Sequence, residues 1–261
     1  KRIKMVLDIS KKEGVATIKF NRPDKFNSFN QKLAFAVQDA LDDCDKDDSV
    51  RAIILTGEGK AFCAGQDLAE ATDPNGPPLQ SIVGKHYNPI IERIRAIEKP
   101  VIAAVNGVAA GAGANIALAC DIVIAKKSAK FIQAFSAIGL IPDSGGTFFL
   151  PRLVGAQKAL SLMMTGDKVS ADEAESMNMI YKSVDDEGFD DYIEKFAFKM
   201  AQMPTKGFGL TKRAVNASFD NSLTEQLSLE EQLQTEAGNS HDFKEGTRAF
   251  LEKRQPNFKG N

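Results

Sequence analysis

The stretch "GLIPDSGGT", residues 139–147, sets one acid into an apolar run that continues into Phe148, Phe149 and Leu150. Two uses fit Asp143. An aspartate just ahead of a helix accepts from its free N–H groups, and a helical pattern starts near Gly146. A carboxylate facing a largely apolar pocket is instead held toward its protonated form and serves as a general acid/base. The flanking residues leave both uses open.

Two other segments carry chemistry through their backbone. "NGVAAGAGANIALACD" follows a strand pattern and opens a helix, and its Gly111, Ala112, Gly113 and Ala114 are all tiny. A ligand can approach such a backbone closely, and the positive end of the helix leaves N–H groups for a developing oxyanion. "FCAGQDL" is similarly small at Ala64 and Gly65. The alternative is that both segments are tight turns where a strand packs on a helix. A dinucleotide fingerprint fails: GxGxxG placed on Gly111 and Gly113 meets Ile116 at its last position, and no acid is well placed for a ribose. No GK[ST] is present for a Walker loop.

Other chemistries are excluded by what is scarce. The two histidines, His86 and His241, lie far apart, with no HExxH and no Cys/His cluster, so no metal site is expected. No GxSxG elbow occurs, and neither histidine sits in a setting that points to a triad. Cys44, Cys63 and Cys120 are odd in number and form no CxxC, which reads as reduced thiols in a cytoplasmic protein. The formal net charge is −2 with 26% charged residues, so neither a nucleic-acid partner nor a charged tail is expected. No apolar stretch is long enough to span a bilayer. The basic opening "KRIKMVLDIS" alternates like a strand and lacks the features of a signal peptide.

The elements that must position these residues follow from periodicity. With 261 residues and 43% hydrophobic content, a substantial core can be buried. "GVATIKFN" alternates, with Val15, Ile18 and Phe20 apolar, and "RAIILTG", "VIAAVNG", "DIVIA" and "AKFIQAF" read as further strands. Leu33, Ala36, Val37 and Leu41 mark one helix, and Ile82, Ile90, Ile91, Ile94 and Ile97 another before Pro100. "EGKAFCAGQDL" reads as a loop, and "DPNGPP" as a mobile surface loop expected to order over bound substrate. After about Gly146 successive helices are expected, from "GGTFFLPRLVGAQKALSLMMTG" to "TEQLSLEEQLQTEA", with a capping box at Ser170 and Glu173. The class is α/β with a helical appendage.

Five segments in order, "NRPDKFNSFN", "AIILTGEGKAFCAGQDL", "KPVIAAVNGVAAGAGANIALACDIVIA", "AKFIQAFSAIGLIPDSGGTFFLPRLVG" and "EGTRAFLEKRQPNF", resemble the crotonase (enoyl-CoA hydratase/isomerase) superfamily over essentially the whole chain. Within it, "FCAGQDL", "YNPII", "VNGVAAGAGA" and "FSAIGLIPDSGGT" are most similar to the isomerase branch that opens an epoxidised aromatic ring carried on a CoA thioester.

The resemblance implies a spiral of ββα turns over residues 1–200 and a helical C-terminal oligomerisation region over 201–261, forming a homotrimer or a dimer of trimers. It implies an acyl-CoA substrate, with coenzyme A as part of that substrate and no metal or redox cofactor. It places the two oxyanion amides at Gln66 and Ala112. Hydratases of the family handle water with two glutamates; the corresponding positions here are Asn115 and Phe135, which argues against efficient hydration. Isomerases and dehalogenases often place an acid later, at the position of Asp143, and the balance between cap and acid/base then moves to acid/base. The resemblance also puts Asp67 and Leu68 near the CoA adenine, and Phe250 and Lys253 at CoA from the C-terminal helix, often across a subunit boundary. Lys253 either pairs with a phosphate or lies on a solvated helix face. Tyr87 and Asn88 line the acyl end or merely pack, and Ala64, beside the Gln66 amide, is counted among the substrate-binding residues. Asn115 is either a polar support for the site or a helix residue satisfied by backbone.

Overall fold

The computed structural model describes residues 6–261. Residues 1–5 of the alternating opening run lie outside them. Ten strands form among the described residues: β1 (Leu7–Lys12), β2 (Val15–Phe20), β3 (Ala52–Gly57), β4 (Ala61–Cys63), β5 (Val101–Val105), β6 (Val108–Ala110), β7 (Ile122–Lys126), β8 (Lys130–Ile132), β9 (Lys168–Ser170) and β10 (Lys182–Val184). In β2 the inward set is Ala16, Ile18 and Phe20. Val15 faces the other side, against a second apolar layer.

The strands sort into a six-stranded sheet, β1-β2-β3-β5-β7-β10, and a four-stranded sheet, β4-β6-β8-β9. Successive strands alternate between the two: β3 then β4, β5 then β6, β7 then β8, each pair joined by two or three residues. A helix follows each pair and returns the chain for the next turn. This is the expected ββα spiral.

Three features depart from the sequence reading. Part of "EGKAFCAGQDL" is strand β4, and β6 lies inside what reads as a glycine loop. Both are three residues long. Ala61, Phe62 and Cys63 are all buried, so no alternation marks the strand. After Gly146 the chain is not purely helical: β9 returns to the small sheet and β10 to the large one. Finally, "GGTFFLPRLVGAQKALSLMMTG" forms two helices, Gly146–Val154 and Ala156–Thr165, which part at Gly155 with φ of 80°.

Other expectations hold. The first amphipathic run is the helix Gln31–Lys46, capped by Asn30, whose side chain accepts from the Leu33 N–H. The Ser170/Glu173 capping box is present. "DPNGPP" is a surface loop. The isoleucine run before Pro100 is helical but contains a π-helical turn, Ile82–Tyr87, between short helical residues and the helix Asn88–Ala96. Gln38 Nε2 donates to the Lys85 and His86 carbonyls in that turn, at 2.8 and 3.2 Å. Tyr87, the last residue of that turn, is buried in the interior.

The main core lies between the sheets and their inner helices. A second, smaller core forms where Phe189, Ile193 and Ala197 of the helix Phe189–Ala201 cover Ile54, Ile102 and Ile124 on the large sheet. With both faces covered, every residue of β5 is buried, which explains its unbroken apolar sequence. Among the described residues no helix is long and apolar enough to cross a membrane.

Candidate active site

β4, β6 and β8 are parallel neighbours, so their C-terminal ends lie side by side. Gln66 follows β4, Ala112 follows β6, and Gln133, Phe135 and Asp143 follow β8. The topology thereby gathers residues far apart in sequence at one sheet edge, the usual place for ligands in parallel sheets. The first two loops touch. A Cβ at Gly65 (φ +90°) would lie 3.0 Å from the Ala110 carbonyl oxygen and 3.6 Å from the Ala112 nitrogen.

The backbone N–H groups of Gln66 and Ala112 make no hydrogen bond among the described residues. The reason is local. Gln66 forms a parallel bridge with Phe29; the Gly65 carbonyl and the Asp67 N–H take up the bonds to Phe29, at 2.7 and 2.8 Å, so the Gln66 N–H points the other way. Ala112 is the first residue of the helix Ala112–Ala119, where no carbonyl stands one turn earlier. Two donors free at one site, one at a helix N-terminus, suit a developing negative charge.

The Gln66 loop is held from several sides. Tyr87, buried, donates its O–H to Gln66 Oε1 at 2.8 Å. Gln66 Nε2 donates to Glu70 Oε2 at 3.2 Å. The Asp67 carboxylate accepts from Arg22 Nη2 at 2.8 Å and caps the short helix Leu68–Ala71 through the Ala69 N–H. Arg22 and Glu70 had no signal of their own in the sequence; each is an ordinary surface-type residue until the fold brings it to the loop.

Asp143 does not cap the helix Gly146–Val154. That helix has Gly145 at its N-cap and no side-chain cap. Ser144 and Gly145 both adopt left-handed backbone, with φ of 52° and 74°, and turn the chain sharply after Asp143. The buried Ser144 hydroxyl donates to Asp143 Oδ1 at 2.8 Å. Burial pushes the Asp143 carboxyl above its usual range, opposed in part by the Ser144 bond.

Asn115 is fully buried and Phe135 nearly so. Asn115 Nδ2 donates to the Asp143 backbone carbonyl at 2.9 Å, and Gln133 Nε2 donates to Asn115 Oδ1 at 2.8 Å. The Phe135 ring lies 3.8 Å from where a Gly111 Cβ would stand, against the turn that leads to Ala112. Gln133, which sequence reasoning passed over as part of a strand, is therefore bonded to Asn115 and linked through it to the Asp143 carbonyl.

The remaining expected residues are more peripheral. Ala64, Leu68 and Asn88 are exposed beside the gathered loops. Phe250 and Lys253 lie at the end of the C-terminal helix His241–Leu251, both exposed. Phe250 lines a separate cleft of about 710 Å³ with Pro204, Phe243, Leu251 and Phe258. Within one chain, the fold does not bring these two to the Asp143 cluster. The three cysteines are free and buried, and burial pushes the Cys63 thiol up to about 12.

Comparison with known proteins decides the family. The family described as enoyl-CoA hydratase/isomerase matches residues 10–261. The chain belongs to it. A family member from Escherichia coli (strain K12), 1,2-epoxyphenylacetyl-CoA isomerase, is 48% identical over 251 residues, 95% of this chain and 96% of that protein. Trans-2-decenoyl-[acyl-carrier-protein] isomerase of Streptococcus mutans is 35% identical over 95% of each chain. The crystal structure of an enoyl-CoA hydratase from Bacillus anthracis superposes with a TM-score of 0.91 at 32% identity, covering 98% of this chain and all of that one. The chain is thus a crotonase-fold enzyme of the hydratase/isomerase superfamily.

Proposed function

We propose that this enzyme is an acyl-CoA isomerase that converts ring-1,2-epoxyphenylacetyl-CoA to the oxepin-CoA and also shifts double bonds in related enoyl-CoAs. Asp143 is the acid/base, and the Gln66 and Ala112 amides hold the thioester oxygen. The observation that carries the reading is the Asp143 turn. Its carboxylate is kept from capping duty and raised by burial, while the two positions where hydratases carry glutamates hold Asn115 and Phe135.

A thioester α-proton is weakly acidic. Two donors on the carbonyl oxygen stabilise the enolate formed on its removal, each worth about 3 kcal/mol in the transition state. Asp143 takes the proton at C2. In an epoxyphenylacetyl substrate the ring bond between the two epoxide carbons opens, both C–O bonds being kept, to give the seven-membered oxepin; there, as in a 3-enoyl-CoA, the enolate electron pair moves through the adjacent double bond to its far carbon. Protonated Asp143 returns the proton, so nothing is gained or lost overall. The chemistry needs one carboxylate and no water. The substrate's CoA is read by Asp67 and Leu68, its acyl end by Ala64, Tyr87 and Asn88, and no metal or redox group takes part.

The same reading makes the enzyme a cytoplasmic homotrimer or dimer of trimers, joined through residues 201–261, with Phe250 and Lys253 reaching a neighbouring subunit's CoA. Exposed Leu223, Leu227, Phe243, Phe250 and Leu251 on those helices support it. Sedimentation of the full chain tests it, and a monomer overturns it. For the reaction, Asp143→Asn is assayed for turnover and for deuterium uptake from D₂O. Loss of both is expected; an Asn variant with the wild-type rate overturns the mechanism.

A further inference from the structure

Asn115 stands in a position that hydratases of the family give to an acid, yet its amide faces inward. Its two polar atoms are committed in a fixed sense. Nδ2 donates to the Asp143 carbonyl, which also accepts from the Gly146 N–H at 2.8 Å. Reversing the amide would set Oδ1 against that carbonyl, two acceptors with no proton between them. Oδ1 must therefore face Gln133, and Gln133 must offer its N–H₂. The consequence is visible at the far end: Gln133 Oε1 is buried with no partner among the described residues. Gln133 itself is 2% exposed. An orphaned buried acceptor is a stability cost kept here by the direction of the chain of bonds.

The same amide also meets the other end of the turn. A Cβ at Gly146 would stand 2.3 Å from Asn115 Nδ2 and 2.8 Å from Oδ1. The Asn115 amide thus lies flat against the first residue of the helix Gly146–Val154 while bonding Asp143. Between these contacts sits Ser144 in left-handed backbone, a conformation that persists only when its surroundings fix it.

We propose that Asn115 and Gln133 are positioning residues, a one-directional amide relay from β8 through the helix Ala112–Ala119 that holds the Asp143 turn in its proton-transferring geometry. This rests on Asp143 being the acid/base. The relay turns a position used for water chemistry into a strut for a base. It acts on the placement of the carboxylate and makes no contact with the substrate. Misplacing a reacting group by a fraction of its bond length lowers the chemical step while leaving ligand binding nearly intact.

Gln133→Met tests this. It keeps the length and burial of the side chain, removes the donor to Asn115, and removes the orphaned oxygen. The expected result is a kcat for isomerisation lowered roughly tenfold to a hundredfold, KM within about twofold, and a melting temperature close to that of the parent, because one buried unpaired acceptor, Gln133 Oε1, is exchanged for another, Asn115 Oδ1. Asn115→Leu, which removes both bonds at similar volume, is expected to lower kcat at least as far. Asp143→Asn is run beside them. If it is inactive while both relay variants keep the parental kcat, the relay is overturned and the assignment of Asp143 stands. A fall in kcat accompanied by an equal loss of melting temperature and substrate affinity shows a merely structural role and also overturns it. If Asp143→Asn keeps the parental rate, the assignment itself fails and the relay falls with it.

Discussion

Tyr87 and Gln66, 21 residues apart, are joined by a 2.8 Å hydrogen bond from the phenol to the side-chain carbonyl oxygen. The bond ties the π-helical turn to the loop whose N–H is free for an oxyanion. Tyr87→Phe should remove it and leave Gln66 Oε1 without that donor in a half-buried site. The expected loss is about 1–2 kcal/mol of stability and a fall in kcat, with KM changed less. Steady-state kinetics beside thermal melting checks this; unchanged kcat would mean the loop holds its geometry through Phe29 and Glu70 alone.

The raised carboxyl of Asp143 has two consequences of opposite usefulness. As a base it must be ionised, so kcat/KM should rise with pH through an acid limb above the ordinary aspartate value of 3.8. The polar groups acting on it are the Ser144 hydroxyl and its own backbone N–H, both of which favour the ionised form; the Tyr87 phenol is itself pushed well up, chiefly by burial, and stays neutral. For stability, the unfolded chain gives up this proton at lower pH than the folded one. The site is without penalty when both forms are protonated. It then costs stability increasingly as pH rises from the unfolded value through the folded one. Asp143→Asn should therefore melt higher than the parent at neutral pH while losing activity. Calorimetry at two pH values, one below and one above the acid limb, reads the difference.

Gly113 has no room for a side chain: a Cβ there would lie 2.3 Å from the Cys63 carbonyl oxygen at the end of β4. Backbone on both sides must move to admit one. Because Ala112 precedes it and Gln66 follows β4, the two amides would separate. Gly113→Ala should cost about 1–3 kcal/mol through overpacking and lower kcat on the order of a hundredfold, as loss of one donor does. A variant that melts lower yet turns over normally would show that the spacing of the two donors is not what the close approach serves.

How much of this was legible in the sequence depended on length and on chain distance. The long strands and helices announced themselves by period, and the tiny residues at 64–65 and 111–114 marked the two loops. β4, β6 and β9 are three residues each, too short for any period; of the small sheet's strands only β8, inside "AKFIQAF", is readable, so the sheet that aligns the loops does not show in the sequence. The cap-or-base ambiguity at Asp143 could not be settled locally, because Ser144 in left-handed backbone decides where the carboxylate points. Gln133 looked like one more strand residue. Its role comes from an Asn115 that is 18 positions earlier, and only the fold sets them together.

The committed amide at position 115 makes a final prediction. To activate a water for addition to a double bond, the site needs a carboxylate to take its proton. Asn115 cannot, and its donor and acceptor are already turned to the Asp143 carbonyl and to Gln133. Phe135 offers only a ring. Asp143 remains, and it is needed for the carbon acid. Crotonyl-CoA should therefore be hydrated slowly or not at all, while a 3-enoyl-CoA is isomerised and takes up deuterium from D₂O. The two assays belong side by side, with the label located by mass spectrometry. Exchange without hydration would separate proton transfer at carbon from water addition and fit one base working beside two amides. Brisk hydration would require another carboxylate at the site, and Asp143 would then have to share or yield the role of acid/base.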